Sequence, residues 1–128
     1  MLDTNVFVAA AFNPGSHSAR LVAAVRDGRL RMVWDDATQA EIEHVIRQIP
    51  PLSWARIADL FRSEDRFTGA TNPQQFSFVP DAADRKFAAL AEAVQAPLVT
   101  SDADLLHTGG QMAVPVLKPS EVAISRSS

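Results

Sequence analysis

The chain contains no cysteine. That excludes a disulfide scaffold, a thiolate metal site and a cysteine nucleophile, and it suits a reducing cytoplasm. Histidine is scarce: His17, His44 and His107 are all there are, and their spacing makes no zinc site. Any bound metal is therefore expected to be a hard cation held by oxygen. No apolar run approaches the roughly 20 residues of a membrane span, and no basic segment precedes an apolar one as in a secretory leader. A cytoplasmic protein without membrane contact is the expectation. An excess of positive charge is lacking too. The formal net charge is -3, whereas nucleic-acid binders are usually basic. Distribution can differ from the sum, because Arg20, Arg26, Arg29 and Arg31 fall close together. Acids gathered into one pocket would leave the remaining surface near neutral or basic.

What is present suits one domain. With 128 residues, 47% hydrophobic and 21% charged, the chain has the ordinary balance of a single-core globular protein. The domain is read as residues 1–128, with a fraying tail from about Ile124. Leu2-Asp3-Thr4-Asn5-Val6-Phe7-Val8 reads as a buried strand that ends at Asp3 and passes into a short helix. It is taken as the central strand, although only Met1 and Leu2 precede Asp3, against the ~5 residues such a strand usually has. A late start, further residues ahead of Met1 and a stunted strand are all open. Ser18 is expected to cap a helix over about 19–26, stopped by Asp27-Gly28. Leu30–Trp34 reads as a strand. Asp36 or Thr38 would cap a helix with Ile42, Val45, Ile46 and Ile49 inward. Ser53 would cap another through about Phe61. A polar loop and a short extended run at Phe76–Val79 follow. Asp81 would cap an alanine-rich helix over 82–95. Pro97–Thr100 and Val114–Leu117 are the last strands, separated by a short helix after Asp102. Strands alternating with helices imply a parallel sheet covered on both faces, with ligands beyond the carboxyl ends of its strands. Asp3 and Asp102 both follow an apolar strand directly, so both are expected at that rim.

The acids have ordinary readings when taken singly. Asp3 suits a turn or cap. Glu41 suits the positive end of a helix dipole, and it sits at the edge of the buried stripe with Glu43 further toward solvent. Asp81 with Asp84 suits a capping arrangement, and Asp102 suits a cap as well. Their conjunction points elsewhere. Separate segments each place an acid at a strand end or helix start, and βα topology sends those places to one edge. Carboxylates packed together repel by on the order of 4 kcal/mol per pair at an effective dielectric of 20, so a cation is expected among them. An all-carboxylate, partly hydrated site suits Mg²⁺ or Mn²⁺, and Asp104 beside Thr100 and Ser101 adds to the oxygen-rich character of that end.

Leu-Asp-Thr-Asn-Val at Leu2–Val6, Ala-Glu-Ile at Ala40–Ile42, Asp-Ala-Ala-Asp-Arg-Lys-Phe at Asp81–Phe87 and Thr-Ser-Asp-Ala-Asp-Leu-Leu at Thr100–Leu106 together resemble the PIN-domain ribonucleases. The run at Gly15–Leu21 and the closing Val116–Val122 resemble the bacterial branch of that family described as toxins of toxin–antitoxin systems. The resemblance implies a three-layer α/β/α sandwich with a central parallel sheet and a Mg²⁺- or Mn²⁺-dependent endoribonuclease. Asp3, Glu41, Asp84 and Asp102 would be its catalytic, metal-holding acids, with Asp104 auxiliary. Asn5 and Thr100 or Ser101 would support them by hydrogen bonds. Arg20, Arg85 and Lys86 are candidates for phosphate contacts, each weighed against a solvated surface charge. The partners implied are an RNA substrate, an antitoxin protein and a second copy of the chain. The 54–61 segment is a candidate for that homodimer contact, set against packing in the core. An alternative is a degenerate module of the same family that binds RNA or protein without cleaving. A third reading, an aspartyl-phosphate enzyme, would want an acid where Asn5 stands and a better-placed lysine than Lys118.

Overall fold

The computed structural model describes residues 1–124. The tail expected to fray therefore lies, from residue 125 on, outside the described residues, while Ile124 itself packs partly buried against the core. A short parallel ladder sets the frame. Met1–Asp3 runs beside β1 (Leu98–Val99), with Leu2 opposite Val99, and β1 runs beside β2 (Val116–Leu117), with Leu98 opposite Val116. The bonds from Asp3 N–H to Val99 C=O (3.1 Å) and from Thr100 N–H to Leu117 C=O (2.9 Å) close it at the carboxyl end. β1 is thus the middle segment, and the stretch ending at Asp3 lies at its side, which corrects the central position expected for it. Pro97 and Pro115 stand immediately before the two strands and have no N–H to extend pairing backward, which keeps both short. The arrangement is α/β, with a sheet much smaller than the alternating pattern suggests.

Five helices surround this ladder among the described residues. α1 (Thr4–Phe12) leaves directly from Asp3 and buries Val6 and Phe7. It packs on α2 (His17–Arg26), which is capped by Ser16 rather than Ser18. Ser16 Oγ accepts the Ala19 N–H at 3.1 Å, and Ser18, two positions into the first turn, is buried instead. Gly28, at φ +86°, turns the chain out of α2 in the left-handed region that favours glycine. α3 (Asp36–Arg47) is capped by Asp35 with Thr38 closing the box, one residue earlier than the sequence suggested. Its Ile42 and Ile46 are fully buried. A single 3-10 turn, Ala82–Asp84, leads into α4 (Arg85–Val94), where Phe87 to Leu90 and Ala91 are all buried. α4 is enclosed nearly all round because its alanines let neighbours approach closely. α5 (Ala103–His107) follows β1.

Three expected elements differ. Leu30–Trp34 forms no strand; it makes one parallel bridge, Trp34 to Arg66, since its neighbour is a turn and Asp35 begins a helix cap at once. The 53–61 helix is instead two 3-10 turns, Trp54–Arg56 and Ala58–Leu60. Apolar residues three apart satisfy a three-residue turn as well as an α-helix, and Ser53 makes no cap bond. Its large side chains face inward: the Phe61 ring lies 5.9, 5.6 and 5.1 Å from those of Phe7, Trp34 and Trp54. Phe76–Val79 is likewise not extended; the chain makes a 3-10 turn at Pro73–Phe76, and Phe76 and Val79 anchor it in the core. The capping geometry is open to test. Asp35→Ala is expected to destabilise the protein by about 1–2 kcal/mol in urea unfolding. Asp36→Ala, which removes an exposed pair with Arg66 and the acid in the first turn of α3, should lower the urea midpoint less than Asp35→Ala does.

Candidate metal centre

Asp3 ends its strand segment and starts α1, and it is only 2% exposed. One carboxylate oxygen accepts the Val6 N–H at 3.3 Å. The other accepts the hydroxyl of Thr100, the residue that follows β1. The same Thr100 oxygen accepts the Asp102 N–H at 2.9 Å. Parallel pairing therefore places Asp3, Thr100 and Asp102 at one rim, with a single hydroxyl tying the first acid to the backbone of the last. Burial, with the charge of Asp102 adding to it, pushes the Asp3 carboxyl up to about 6 against the opposing pull of Thr100 and the Val6 and Asn5 N–H groups.

Asp84 stands half-buried where the 3-10 turn becomes α4, and its side chain makes no cap bond. Burial pushes its carboxyl up to about 7, reinforced by the charges of Asp81, Asp102, Asp3 and Glu41 in that order. Acids from widely separated stretches thus act on one group. Asp81 itself is exposed and caps the 3-10 turn through the Ala83 N–H. Glu41, on α3, is held by a 3.4 Å ion pair to Lys86 of α4, both side chains mostly covered.

The remaining candidates fall away from this group. Asp104 is exposed, and its backbone N–H, rather than its carboxylate, touches Asp102. Asn5 acts through its backbone, its carboxamide being exposed. Ser101 is exposed and, among the described residues, makes no hydrogen bond to the acids. The Arg85 guanidinium donates to the Val79 and Ser77 carbonyls with two of its five N–H groups. Arg26, Arg29 and Arg31 pair with Asp59, Asp27 and Asp65, so of that run of four arginines Arg20 alone stands exposed without an ion pair among the described residues. The Lys86–Glu41 pair escaped sequence reasoning, because nothing local links residues so far apart. So did Thr4, whose Oγ, one residue from Asp3, is buried with no hydrogen-bond partner.

Hard carboxylate and hydroxyl oxygens with elevated carboxyl pKa values are the chemistry that a divalent cation such as Mg²⁺ or Mn²⁺ takes. As the side chains are placed, no three acids or histidines among the described residues stand close enough to hold an ion together. A carboxyl whose pKa is raised by folding binds its proton more tightly in the folded than in the unfolded chain. Its contribution is favourable below the unfolded value, about 4, and is lost as pH rises toward about 7. In chelator, Asp84→Asn is accordingly expected to melt at a higher temperature than the native protein at pH 8, with the advantage gone at pH 4. Thermal unfolding followed by circular dichroism checks this; a lower melting temperature for the variant at pH 8 would mean that the protein already compensates the Asp84 charge.

No curated protein and no solved structure matches the chain at a significant level. A family model described as PIN domain matches residues 1–104. The matched stretch runs from the first strand segment through the Thr100–Asp102 rim and takes in every acid that acts on Asp84. With most of its length so matched, the chain belongs to the PIN domain family and carries that family's nuclease-type α/β fold.

Proposed function

We propose that the protein is a metal-dependent endoribonuclease that hydrolyses RNA phosphodiester bonds in the cytoplasm, and that it is the toxin of a type II pair silenced by an antitoxin protein. The observation that carries the nuclease reading is the rim where the Thr100 hydroxyl joins the buried Asp3 carboxylate to the Asp102 N–H, with Asp84 near enough for Asp81, Asp102, Asp3 and Glu41 to raise its carboxyl. A fold that gathers acids from separate segments in a half-buried place has a use for a cation there. Family membership supports hydrolytic nuclease chemistry in general. The toxin assignment, the antitoxin and a homodimer rest on the resemblance of the Gly15–Leu21 and Val116–Val122 runs, and the three-layer α/β/α form on the family fold.

Asp3, Glu41, Asp84 and Asp102 would hold Mg²⁺ or Mn²⁺, with Asp104 near the rim as an auxiliary acid. When bound, such an ion supplies a Lewis acid that strengthens water as a proton donor and offsets charge building on the phosphate. The protein's own part is positional. Asp3 is locked by Thr100 and α1, so its carboxylate has little freedom to follow a wrongly placed ion. Thr100 sets the start of α5 through Asp102. No side chain has to become bonded to the substrate. Arg20, exposed on α2 and outside any of the described ion pairs, is a phosphate contact in this reading, with Arg85 and Lys86 at the start of α4 as further candidates.

One observation favours a second reading, a module that binds RNA or protein without cleaving: the acids are not arranged as a closed ligand set, and Glu41 already has a cationic partner. A labelled RNA incubated with Mn²⁺ separates the two. The native protein is expected to cleave it, chelator to stop the cleavage, and Asp3→Asn, shown folded by circular dichroism, to fall to background. RNA retained but uncut by the native protein over a range of Mn²⁺ would establish the binding module instead.

A further inference from the structure

A notch of about 260 Å³ lies where the start of α2 meets α5 and the 3-10 turn at Pro119–Glu121. Its wall includes His17 and Ser18 from α2, Ser101 from the acid rim, and Lys118 and Ser120 from the far side. No acid lines it, in a chain with 15 aspartates and glutamates. Lys118 is exposed and belongs to none of the ion pairs among the described residues. Ser18 is only 4% exposed, yet its hydroxyl makes no hydrogen bond among the described residues. The cap of α2 is Ser16, whose Oγ accepts the Ala19 N–H and donates to the Asn13 carbonyl. The Thr4 hydroxyl is sealed from solvent; that of Ser18 is not, and it opens on the notch. A hydroxyl so withdrawn from bulk water is costly to leave alone and calls for an acceptor. The N–H groups of His17 and Ser18, the first two of α2, have no backbone partner either, and no acid stands in that turn. Two N–H groups, three serine hydroxyls and an ammonium are a set of donors, and an anion is what they have in common as a ligand.

We infer that this notch binds a phosphate group of the RNA strand, one that neighbours the phosphodiester lying at the acid rim. The identity of the strand rests on the nuclease reading above; the anion chemistry of the notch does not. Ser101 joins the two places. It lines the notch, and in the chain it stands between Thr100, which holds Asp3, and Asp102. Carboxylates repel a polyanion, so a strand laid along that rim needs donors close by to hold it in register. The notch supplies them next to the acids. Its groups meet a phosphate that does not react, so they set affinity and register without reading a base and without entering the chemical step. Inorganic phosphate offers the same oxygens to the same donors, and a strand differs from it in salt dependence.

The test records amide NMR spectra of the full chain in chelator, first with sodium phosphate and then with a uridine tetranucleotide. Both are expected to move the His17 and Ser18 amide signals, the RNA at lower concentration and in competition with phosphate. Ser18→Ala, shown folded by circular dichroism, should bind the RNA about tenfold more weakly, as for a lost hydrogen bond to a charged group. Lys118→Met should weaken it too and lower the slope of log affinity against log salt by about 1. In the Mn²⁺ cleavage assay the loss should fall on KM rather than on kcat. Amide signals that neither probe moves, or native KM values in both variants, overturn the inference and leave the nuclease reading intact. Shifts caused by phosphate that RNA neither reproduces nor competes for mark a free-anion site and overturn the assignment to a strand. RNA-induced shifts at those amides with no cleavage at any Mn²⁺ concentration sustain the notch and remove the nuclease. Should Ser18→Ala not fold, the exposed Lys118→Met and Ser120→Ala decide the matter by the same measurements.

Discussion

A carboxylate that is almost wholly removed from water has to be held by something other than water, and at Asp3 that something is the parallel pairing of Met1–Asp3 with β1. The ladder brings Thr100 alongside, and the Thr100 hydroxyl donates to the acid while accepting the N–H of Asp102. α1 adds the Val6 N–H from the other side. The opposing contributions are unequal. Desolvation outweighs these donors, and the group remains more basic than an exposed aspartate. The same holds more strongly for Asp84, which lacks a donor of its own kind and meets four like charges. The fold therefore keeps a concentration of negative charge that its own hydrogen bonds only partly relieve.

The rim that collects these acids was legible in the sequence because two simple signals coincide there. An apolar run followed at once by an acid marks a strand end, and parallel order sends strand ends to one side. Asp3 and Asp102 follow from that. The helix starts were legible in kind and displaced in place: Asp35, not Asp36, caps α3, and Ser16, not Ser18, caps α2, because adjacent cap-forming residues compete and only backbone geometry chooses between them. The 53–61 stretch shows a different limit. Apolar spacing by three is shared between an α-helix and consecutive 3-10 turns, and the outcome depends on Phe61 meeting Phe7 and Trp34, neither of which is local. Leu30–Trp34 is apolar enough for a strand and makes one bridge instead, because its neighbour is a turn and Asp35 starts a helix cap at once.

Basic side chains were the least legible. Arginines close in sequence suggest a phosphate-binding face, yet most serve the fold itself. Arg62 donates to the Val25 and Arg26 carbonyls at the end of α2, Arg26 reaches Asp59 and the Arg56 carbonyl, and Arg31 covers the buried Asp65. A guanidinium satisfies several acceptors at once, so a chain with little sheet can use it to fasten irregular segments to helix ends. The net charge of -3 reflects 15 acids against 12 lysines and arginines, and many of those basic groups are already committed to partners inside the molecule.

The corner built around Phe61 has a practical consequence. The chain has no tyrosine and two tryptophans, and both indoles, Trp34 and Trp54, lie against that one ring, with the Trp34 N–H bonded to the Arg62 carbonyl. Ultraviolet emission from this protein accordingly samples one neighbourhood. A change in its wavelength marks the loosening of the irregular 53–66 stretch from α1, and neither indole is among the groups that act on the acids at the sheet rim.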